Sequence, residues 1–423
     1  MVSEIPTDFP DPTLAVTQSA YRASAILATL KGSDRVRGIQ AMSEALQSAI
    51  EEILEANTLD LETSREMAMP ELIVEWLKLT PERLNAAIEI LNRLSELPDP
   101  TLRTINASYQ IERSQTYCQL MPLGTIALIY EAFPELGAIA AGLCLKTGNS
   151  LILRGSSEAS HTNTAIYQTL QLALEDAGLP IGCLETLPAE SGSSIKDLVT
   201  KDRYLNLVIP YGRPSLVKQV TNLATAPVLR SAMGNCYLYW SDSGDLDVAR
   251  WAIIDSHASE PDPVNAIEKV LVSRSQKSTS LVRLFNSLAE QGFQLRGDEQ
   301  LVSDYPKQLS PADENEWGET YLAKIVAFKV VEDIEDAIAW MNRYSSGHAD
   351  CLVSESYHES HLFARRIDSA LVYINTSPRF SRNPKSGDSV FLGMSNQKGY
   401  RRGLVGLETL TTLKQVVQGD RRF

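Results

Sequence analysis

Between Thr125 and Tyr130 the chain is almost wholly apolar, and from Leu136 the pattern changes, with Leu136, Ile139, Ala140 and Leu143 recurring at i, i+3, i+4 and i+7. The first pattern predicts a buried strand and the second a helix. Gly148 and Asn149 predict the helix stop, and Ser150 to Leu153, with β-branched Ile152, predict a second strand. A strand, helix, strand unit with so short a connection has parallel strands and a right-handed crossover. Ligands of such sheets sit beyond the carboxyl ends of the strands. Here that position holds Arg154, Ser156, Ser157 and Glu158: a cation, two hydroxyls and a carboxylate, suited to an adenosine ribose and its phosphates. The alternative is ordinary capping, with Ser156 or Ser157 as N-cap of the next helix and Glu158 complementing its dipole.

Upstream, from Pro12 to about Pro98, the spacing is helical throughout, with long segments at Ile39 to Leu54 and Pro81 to Leu94. Pro81 after Thr80 is a helix start, because proline fits a first turn whose N–H is not needed. Thr104 to Met121 alternates, as in Ser108, Tyr109, Gln110, Ile111 and Glu112, and predicts a hairpin or extended arm. After Glu158 an amphipathic helix carries Ile166, Thr169, Leu170, Ala173 and Leu174 on one face and closes at Gly178 and Pro180. Leu184 to Leu187 and Leu205 to Ile209 predict further buried strands around a Ser193 to Thr200 helix. This alternation predicts a doubly wound parallel sheet, an α/β fold. No GxGxxG follows any strand, so the common dinucleotide fingerprint is absent.

A second α/β lobe is predicted from about Arg230 to Thr376. Its strands are expected at Tyr237–Trp240, Ile325–Val330, Cys351–Ser354 and Leu371–Ile374, and its helices at Leu246–Ile254, Ile334–Tyr344 and His358–Ile367. The His358 to His361 sequence, HESH, is not the HExxH zinc signature and reads as a solvated helix turn.

The composition narrows the class. A chain of 423 residues has room for two or three lobes. Its formal charge of −14, from 39 Lys and Arg against 53 Asp and Glu, argues against a nucleic-acid surface, which needs a basic stripe. Arg401–Arg402 and Arg421–Arg422 read as solvated ends. No apolar run approaches the roughly 20 residues of a membrane span. The acidic, proline-containing opening MVSEIPTDFPDPT is unlike a signal or transit peptide, and the expectation is a cytoplasmic protein. Five cysteines, at 118, 144, 183, 236 and 351, contain no CxxC pair, which argues against a disulfide framework or a zinc site.

The segments PLGTIALIYEA, LCLKTGN and LILRGSSEA resemble those of the gamma-glutamyl phosphate reductases, also called glutamate-5-semialdehyde dehydrogenases, of the aldehyde dehydrogenase superfamily. So do ANTLDLETSREM, GNCYLYWSD, VYINTSPRFS and VGLETLTTLK, so that the resemblance runs nearly the whole chain. It implies an aldehyde dehydrogenase-like α/β fold with two doubly wound lobes and a small oligomerisation arm. Residues 1–103 and 122–229 would form N-terminal helices plus a cofactor lobe, 230–376 a catalytic-type lobe, and 377–404 a return segment. Residues 104–121 and 405–423 would form the arm, with the alternating stretch pairing with Leu410 to Gln418 of a partner subunit in a homo-oligomer, a dimer or a tetramer. The alternative is an edge strand covered within one chain.

The activity implied is NADP(H)-dependent reduction of L-glutamyl 5-phosphate to the semialdehyde in proline biosynthesis, with a small-molecule substrate and neither a nucleic-acid nor a membrane partner. This chemistry needs a thiolate that attacks the acyl phosphate and holds a thioester for hydride delivery. The family's cysteine segment matches Pro261 to Val272, where Asn265, Glu268 and Val272 fit the pattern, but the nucleophile's position is Val264. Loss of a covalent nucleophile costs on the order of 10⁴ to 10⁶ in turnover.

Other positions depart in the same direction. Where the family has YEARPN, Phe133 and Glu135 replace an arginine and an asparagine suited to an anionic substrate, and a carboxylate there would repel phosphate. In Ile209 to Ser215, Tyr211 stands for an arginine and Arg213 for a glycine, leaving Gly212 alone to let backbone approach a pyrophosphate. The glycine-rich segment carrying a glutamate is shortened to Ser389–Met394. Family positions that persist are Lys146, Arg154, Gly347, His348, Asn375, Ser377, Arg379 and Phe380.

The resemblance and the strand-end chemistry together give Lys146, Arg154, Ser157, Glu158 and Gly212 as cofactor-binding candidates. His348, Asn375, Ser377 and Arg379 are the substrate candidates, Arg379 as carboxylate partner or as a surface ion pair. Cys351, three residues after His348, is the candidate substitute thiol, whereas Cys236 lies in a strand and reads as buried and inert. Three readings stay open: a family member with lost or reduced catalysis, a noncatalytic nucleotide- or partner-binding homologue, and a reductase using Cys351.

Overall fold

The structure, a computed structural model, describes residues 11–111, 114–189, 194–258, 264–399 and 401–419. The opening stretch to Pro10, Glu112 in the alternating segment, Ser193, Pro261 to Pro263 of the cysteine-equivalent segment and Arg421–Arg422 lie outside the described residues. The chain divides into two compact units. One contains Met1–Arg230, Arg382–Gly393 and Val405–Phe423, and the other Ser231–Ser381 and Met394–Leu404. The first stretch ends at Arg230, and residues 382–393 and 394–404 fall in different units.

The first unit begins with α1 (Pro12–Leu27), α2 (Gly32–Ser48), α3 (Ile50–Glu66), α4 (Glu71–Leu77) and α5 (Pro81–Glu96). Local chemistry starts two of them: the Asp11 carboxylate accepts from the Thr13 N–H, and the Thr80 hydroxyl from the Arg83 N–H ahead of Pro81. The Ile39 to Leu54 pattern is not one helix. It breaks at Ala49 (φ −100°, ψ 11°), so that its apolar positions serve two faces.

Then come β1 (Thr104–Asn106), β2 (Ser114–Pro122), β3 (Thr125–Tyr130), α6 (Leu136–Thr147), β4 (Ser150–Gly155), α7 (Ser160–Asp176), β5 (Leu184–Thr186), α8 (Ile195–Val199), β6 (Leu207–Gly212) and α9 (Pro214–Leu223). The parallel order β5-β4-β3-β6 puts the reversal of winding between β3 and β6. Every residue of α6 is buried, and Gly148 closes it with φ +79°, a conformation open to glycine at no steric cost. Neither Ser156 nor Ser157 caps α7. A 3₁₀ turn at Ser157–Ala159 intervenes, and the Ser156 side chain makes no capping hydrogen bond.

The second unit contains β7 (Ser231–Ala232), β8 (Cys236–Trp240), α10 (Leu246–Ser256), β9 (Ile267–Ser273), α11 (Ser278–Glu290), β10 (Gln294–Gly297), α12 (Glu299–Asp304), β11 (Ser310–Pro311), β12 (Ile325–Val331), α13 (Ile334–Tyr344), β13 (Ala349–Val353), α14 (Tyr357–Arg366) and β14 (Leu371–Ile374). Its parallel sheet has the order β11-β10-β12-β9-β8-β13-β14. One core, around Trp240, Ile253, Val270, Phe285 and Phe328, lies on one face; Tyr237, Leu271, Met341 and Phe363 pack in another.

The chain ends with the short strands β15 (Gly393–Ser395) and β16 (Gly403–Val405) and then β17 (Thr411–Gly419). β17 runs antiparallel to β2 of its own chain, from Thr411 opposite Pro122 to Gly419 opposite Ser114. The expected pairing of these two stretches across subunits is therefore satisfied within one chain. β1 covers the other edge of β2, leaving the far edge of β17 as a rim of this sheet.

Candidate functional site

In the first unit, a cavity of about 230 Å³ opens beyond the carboxyl ends of β3 and β4, lined by Tyr130, Glu131, Arg154, Ser156, Ser157, Glu158 and Arg213 among others. Of the five cofactor candidates, Arg154, Ser157 and Glu158 meet here. Ile73, Ile129, Ile195 and Leu216 supply apolar wall suited to a flat ring. Arg154 is buried and donates through Nη1 to the Leu187 and Pro188 carbonyls, both at 3.2 Å, which fixes the segment after β5. Ser157 Oγ lies 3.5 Å from Glu158 Oε2, and Ser156 Oγ is buried without a hydrogen-bond partner.

Lys146 and Gly212 are not part of that lining. Lys146 is buried near the end of α6 and reaches the Ser95 carbonyl at 3.4 Å. Burial lowers its pKa, Asp99 opposing and Arg35 adding to that effect. Gly212 has φ +148°, and a Cβ built on it would lie 2.5 Å from Glu131 Oε2. The backbone face expected to receive a pyrophosphate is covered by a side chain of the same chain.

That side chain is held firmly. Glu131 Oε2 accepts from the Arg213 N–H at 2.7 Å, and Oε1 accepts from Arg213 Nη2 at 2.8 Å and Nε at 3.1 Å. Hydrogen bonding to Glu131 raises the Arg213 pKa against the opposing effect of burial. Next to it, Phe133 is fully buried between Trp76 (centroids 4.7 Å) and Tyr211 (5.7 Å), and Arg382 Nη2 donates to the Tyr211 hydroxyl at 2.7 Å. Glu135 does not face an open anion site. It is buried against Arg83, with Nη2 2.6 Å from Oε2 and Nε 3.2 Å from Oε1. None of these pairs was legible from the sequence, since the partners are remote along the chain and a lone arginine on a helix gives no signal.

In the second unit Val264 is 1% exposed, and its carbonyl accepts from the Gly234 N–H at 2.9 Å. Asn265 is buried, donates to the Pro378 carbonyl at 3.1 Å and keeps its Oδ1 without a partner. Glu268 accepts from Thr320 Oγ1 and from the Tyr321 and Leu322 N–H groups, at 2.7–3.0 Å, so it anchors the Thr320–Leu322 segment onto β9.

Cys351 lies inside β13 in the Trp240 and Val270 core, 1% exposed, and burial pushes its thiol well above the usual range. A thiol so placed has neither access nor thiolate character. Cys236 is equally buried, and burial raises its pKa too.

The substrate candidates are engaged locally. Asn375, at φ +53°, clamps the end of β13: its Oδ1 accepts from the Ser354 N–H at 2.9 Å and its Nδ2 donates to the Ser354 carbonyl at 2.8 Å. Ser377 Oγ accepts from the Arg379 N–H at 3.2 Å. Arg379 is half exposed, 3.4 Å from Asp255 and 3.3 Å from the Ala258 carbonyl. His348 is buried with Nδ1 2.8 Å from Ser346 Oγ. Among the described residues there is no cluster of three or more His, Cys, Asp or Glu that could hold a metal, and no helix is long and apolar enough to cross a membrane.

The profile of the aldehyde dehydrogenase family matches residues 3–288. The chain is 54% identical to gamma-glutamyl phosphate reductase 2 of Synechocystis sp. over 96% of its length and 97% of the relative's. It is 40% identical to the gamma-glutamyl phosphate reductase of Gloeobacter violaceus over 96% and 97%. The crystal structure of the gamma-glutamyl phosphate reductase of Thermotoga maritima superposes with a TM-score of 0.88 at 33% identity, covering 98% of this chain and all of that one. Matched over so much of its length and at such identity, the chain belongs to the gamma-glutamyl phosphate reductase family, within the aldehyde dehydrogenases.

Proposed function

We propose that this chain keeps the reductase scaffold of proline biosynthesis while its reductase chemistry, the NADPH-dependent conversion of L-glutamyl 5-phosphate to glutamate 5-semialdehyde, is lost or strongly reduced. The single observation carrying this reading is the buried Val264 at the nucleophile's position, with no thiol able to take over. Cys118, Cys144, Cys236 and Cys351 are buried, and burial drives the partly covered Cys183 up to about 12. A thioester cannot form on an aliphatic side chain, and a buried neutral thiol is a poor substitute.

The second reading is a noncatalytic homologue that binds a nucleotide or a partner subunit, and the cavity at Arg154, Ser157 and Glu158 favours it. The family implies a nicotinamide cofactor. Of its binding parts, the residues suited to a ribose meet in the cavity, whereas the backbone suited to its pyrophosphate is covered by Glu131. A homo-oligomer, dimer or tetramer, belongs to the same proposal, with the free edge of β17 as the contact.

The test follows NADP reduction by the purified protein with glutamate semialdehyde and phosphate. The expected result is no turnover above background. Turnover within about tenfold of an ordinary family enzyme, a loss far smaller than that expected for a missing nucleophile, would discard both readings in favour of a working reductase.

A further inference from the structure

We propose that Glu131 acts as a built-in anion in the first unit, so that the cavity beside it takes an uncharged vicinal-diol ligand of nucleoside size and discriminates against the phosphates of a nucleotide. The inference rests on reading this cavity as a nucleotide end, and it deepens that reading by naming the ligand class.

The winding of the sheet reverses between β3 and β6, and in parallel α/β sheets a ligand's phosphates settle in the crevice at such a reversal, on the backbone donors of the next helix. In this chain that crevice is filled from inside. Glu131, the residue after β3, lays its carboxylate over Gly212 and accepts the Arg213 N–H at the entry to α9. It also takes the guanidinium of Arg213 through two nitrogens. The Arg213 N–H and guanidinium, donors that would meet a phosphate, are thus already spent on a carboxylate. A phosphate placed there would displace it, leaving Glu131, 12% exposed, as an unpaired anion beside a second anion.

The rest of the cavity has another character. Glu158 is an acceptor that suits two vicinal hydroxyls and repels phosphate, and it lies within electrostatic reach of Arg213. The apolar wall of Ile73, Ile129 and Leu216 suits a flat base, and a volume of about 230 Å³ is less than a dinucleotide needs. The neighbouring Trp76, Phe133 and Tyr211 stack is buried and adds nothing to the lining.

Glu131 and Arg213 therefore act as specificity-determining residues, and two substitutions on the full chain have opposite consequences. Calorimetric titration with adenosine, ADP and NADPH reads them. In the wild type, ADP and NADPH bind no more tightly than adenosine, because their phosphates meet the paired Glu131 carboxylate rather than free donors. In Glu131→Gln, which frees Arg213, ADP and NADPH tighten by about tenfold or more while adenosine is unchanged. In Arg213→Gly, which leaves Glu131 unpaired, ADP weakens by about tenfold and adenosine again stays. Circular dichroism and the melting temperature establish that each variant is folded, and if one is not, the other carries the test.

Wild-type ADP or NADPH binding about tenfold tighter than adenosine overturns this inference and leaves the cavity as a nucleotide site. No binding of any of the three probes to the folded wild type overturns the nucleotide reading of the cavity as well. Unchanged ADP affinity in a folded Glu131→Gln protein overturns the role of Glu131.

Discussion

The ring of Phe133 meets that of Tyr211 edge-on, with centroids 5.7 Å apart and planes at 86°. The resemblance sets an arginine at each of these positions. The two departures thus meet in space: an aromatic contact stands where the resemblance implies two cations, Trp76 extends the stack and Arg382 bonds to the Tyr211 hydroxyl. The same holds next door, where Glu135 meets Arg83 and Arg213 meets Glu131.

Returning the family's arginine alone, as Phe133→Arg, should destabilise the first unit. The side chain is fully buried, and a guanidinium without a partner there costs about 3 kcal/mol or more. Urea unfolding followed by circular dichroism checks it, and a loss below about 1 kcal/mol would mean that the stack is not the packed element described.

Glu135→Asn should cost about 3–5 kcal/mol, because it strands Arg83 in a buried setting. The double variant Arg83→Met with Glu135→Leu should recover most of that, since two apolar side chains need no partner. Equal melting temperatures for the single and double variants would contradict the pairing.

Val264→Cys should fold almost as the wild type does, a nearly volume-conserving change costing within about 1.5 kcal/mol, yet restore no NADP-linked turnover. The new thiol would be as buried as the valine, and the Phe133 and Glu135 departures would remain. Thiol labelling of the native protein beside the turnover assay decides the matter. Rapid labelling together with activity would show that the missing sulfur was the sole defect.

In the second unit two buried groups titrate in opposite senses. Burial lifts the Asp350 carboxyl from 3.8 to about 6, so the stability it contributes is present below 3.8 and is lost as pH rises through 6. Burial pushes the His257 imidazole from 6.5 to about 4, so its stability is present above 6.5 and lost as pH falls through 4. Between pH 4 and 6 the two slopes oppose each other. Asp350→Asn removes the first, so the variant's stability should rise with pH across this window more steeply than the wild type's. Urea midpoints at pH 4.5 and 6 measure the difference, and parallel trends for the two proteins would rule it out.

The far edge of β17 exposes Leu413 and Val417, each nearly half accessible, on one face of the strand. If copies associate there, Leu413→Lys with Val417→Lys should shift the protein to a monomer in sedimentation, because charges on an edge block strand pairing. An unchanged mass would remove this edge from the contact.

Much of the architecture was written along the chain because its causes are local. A continuous apolar run gave β3, a 3.6-residue spacing gave α6, and Gly148 ended the helix where only a residue without Cβ is comfortable. The absence of sulfur at position 264 is likewise a fact of sequence. What the sequence did not carry was which charges neutralise one another. Glu135 read alone was an anion facing phosphate, and Gly212 read alone was an open backbone. Folding brought Arg83 to the first and Glu131 to the second. The physical reason is that propensity and periodicity act over a few residues, whereas an ion pair or a covered glycine depends on strands and helices that become neighbours only once the sheet is assembled.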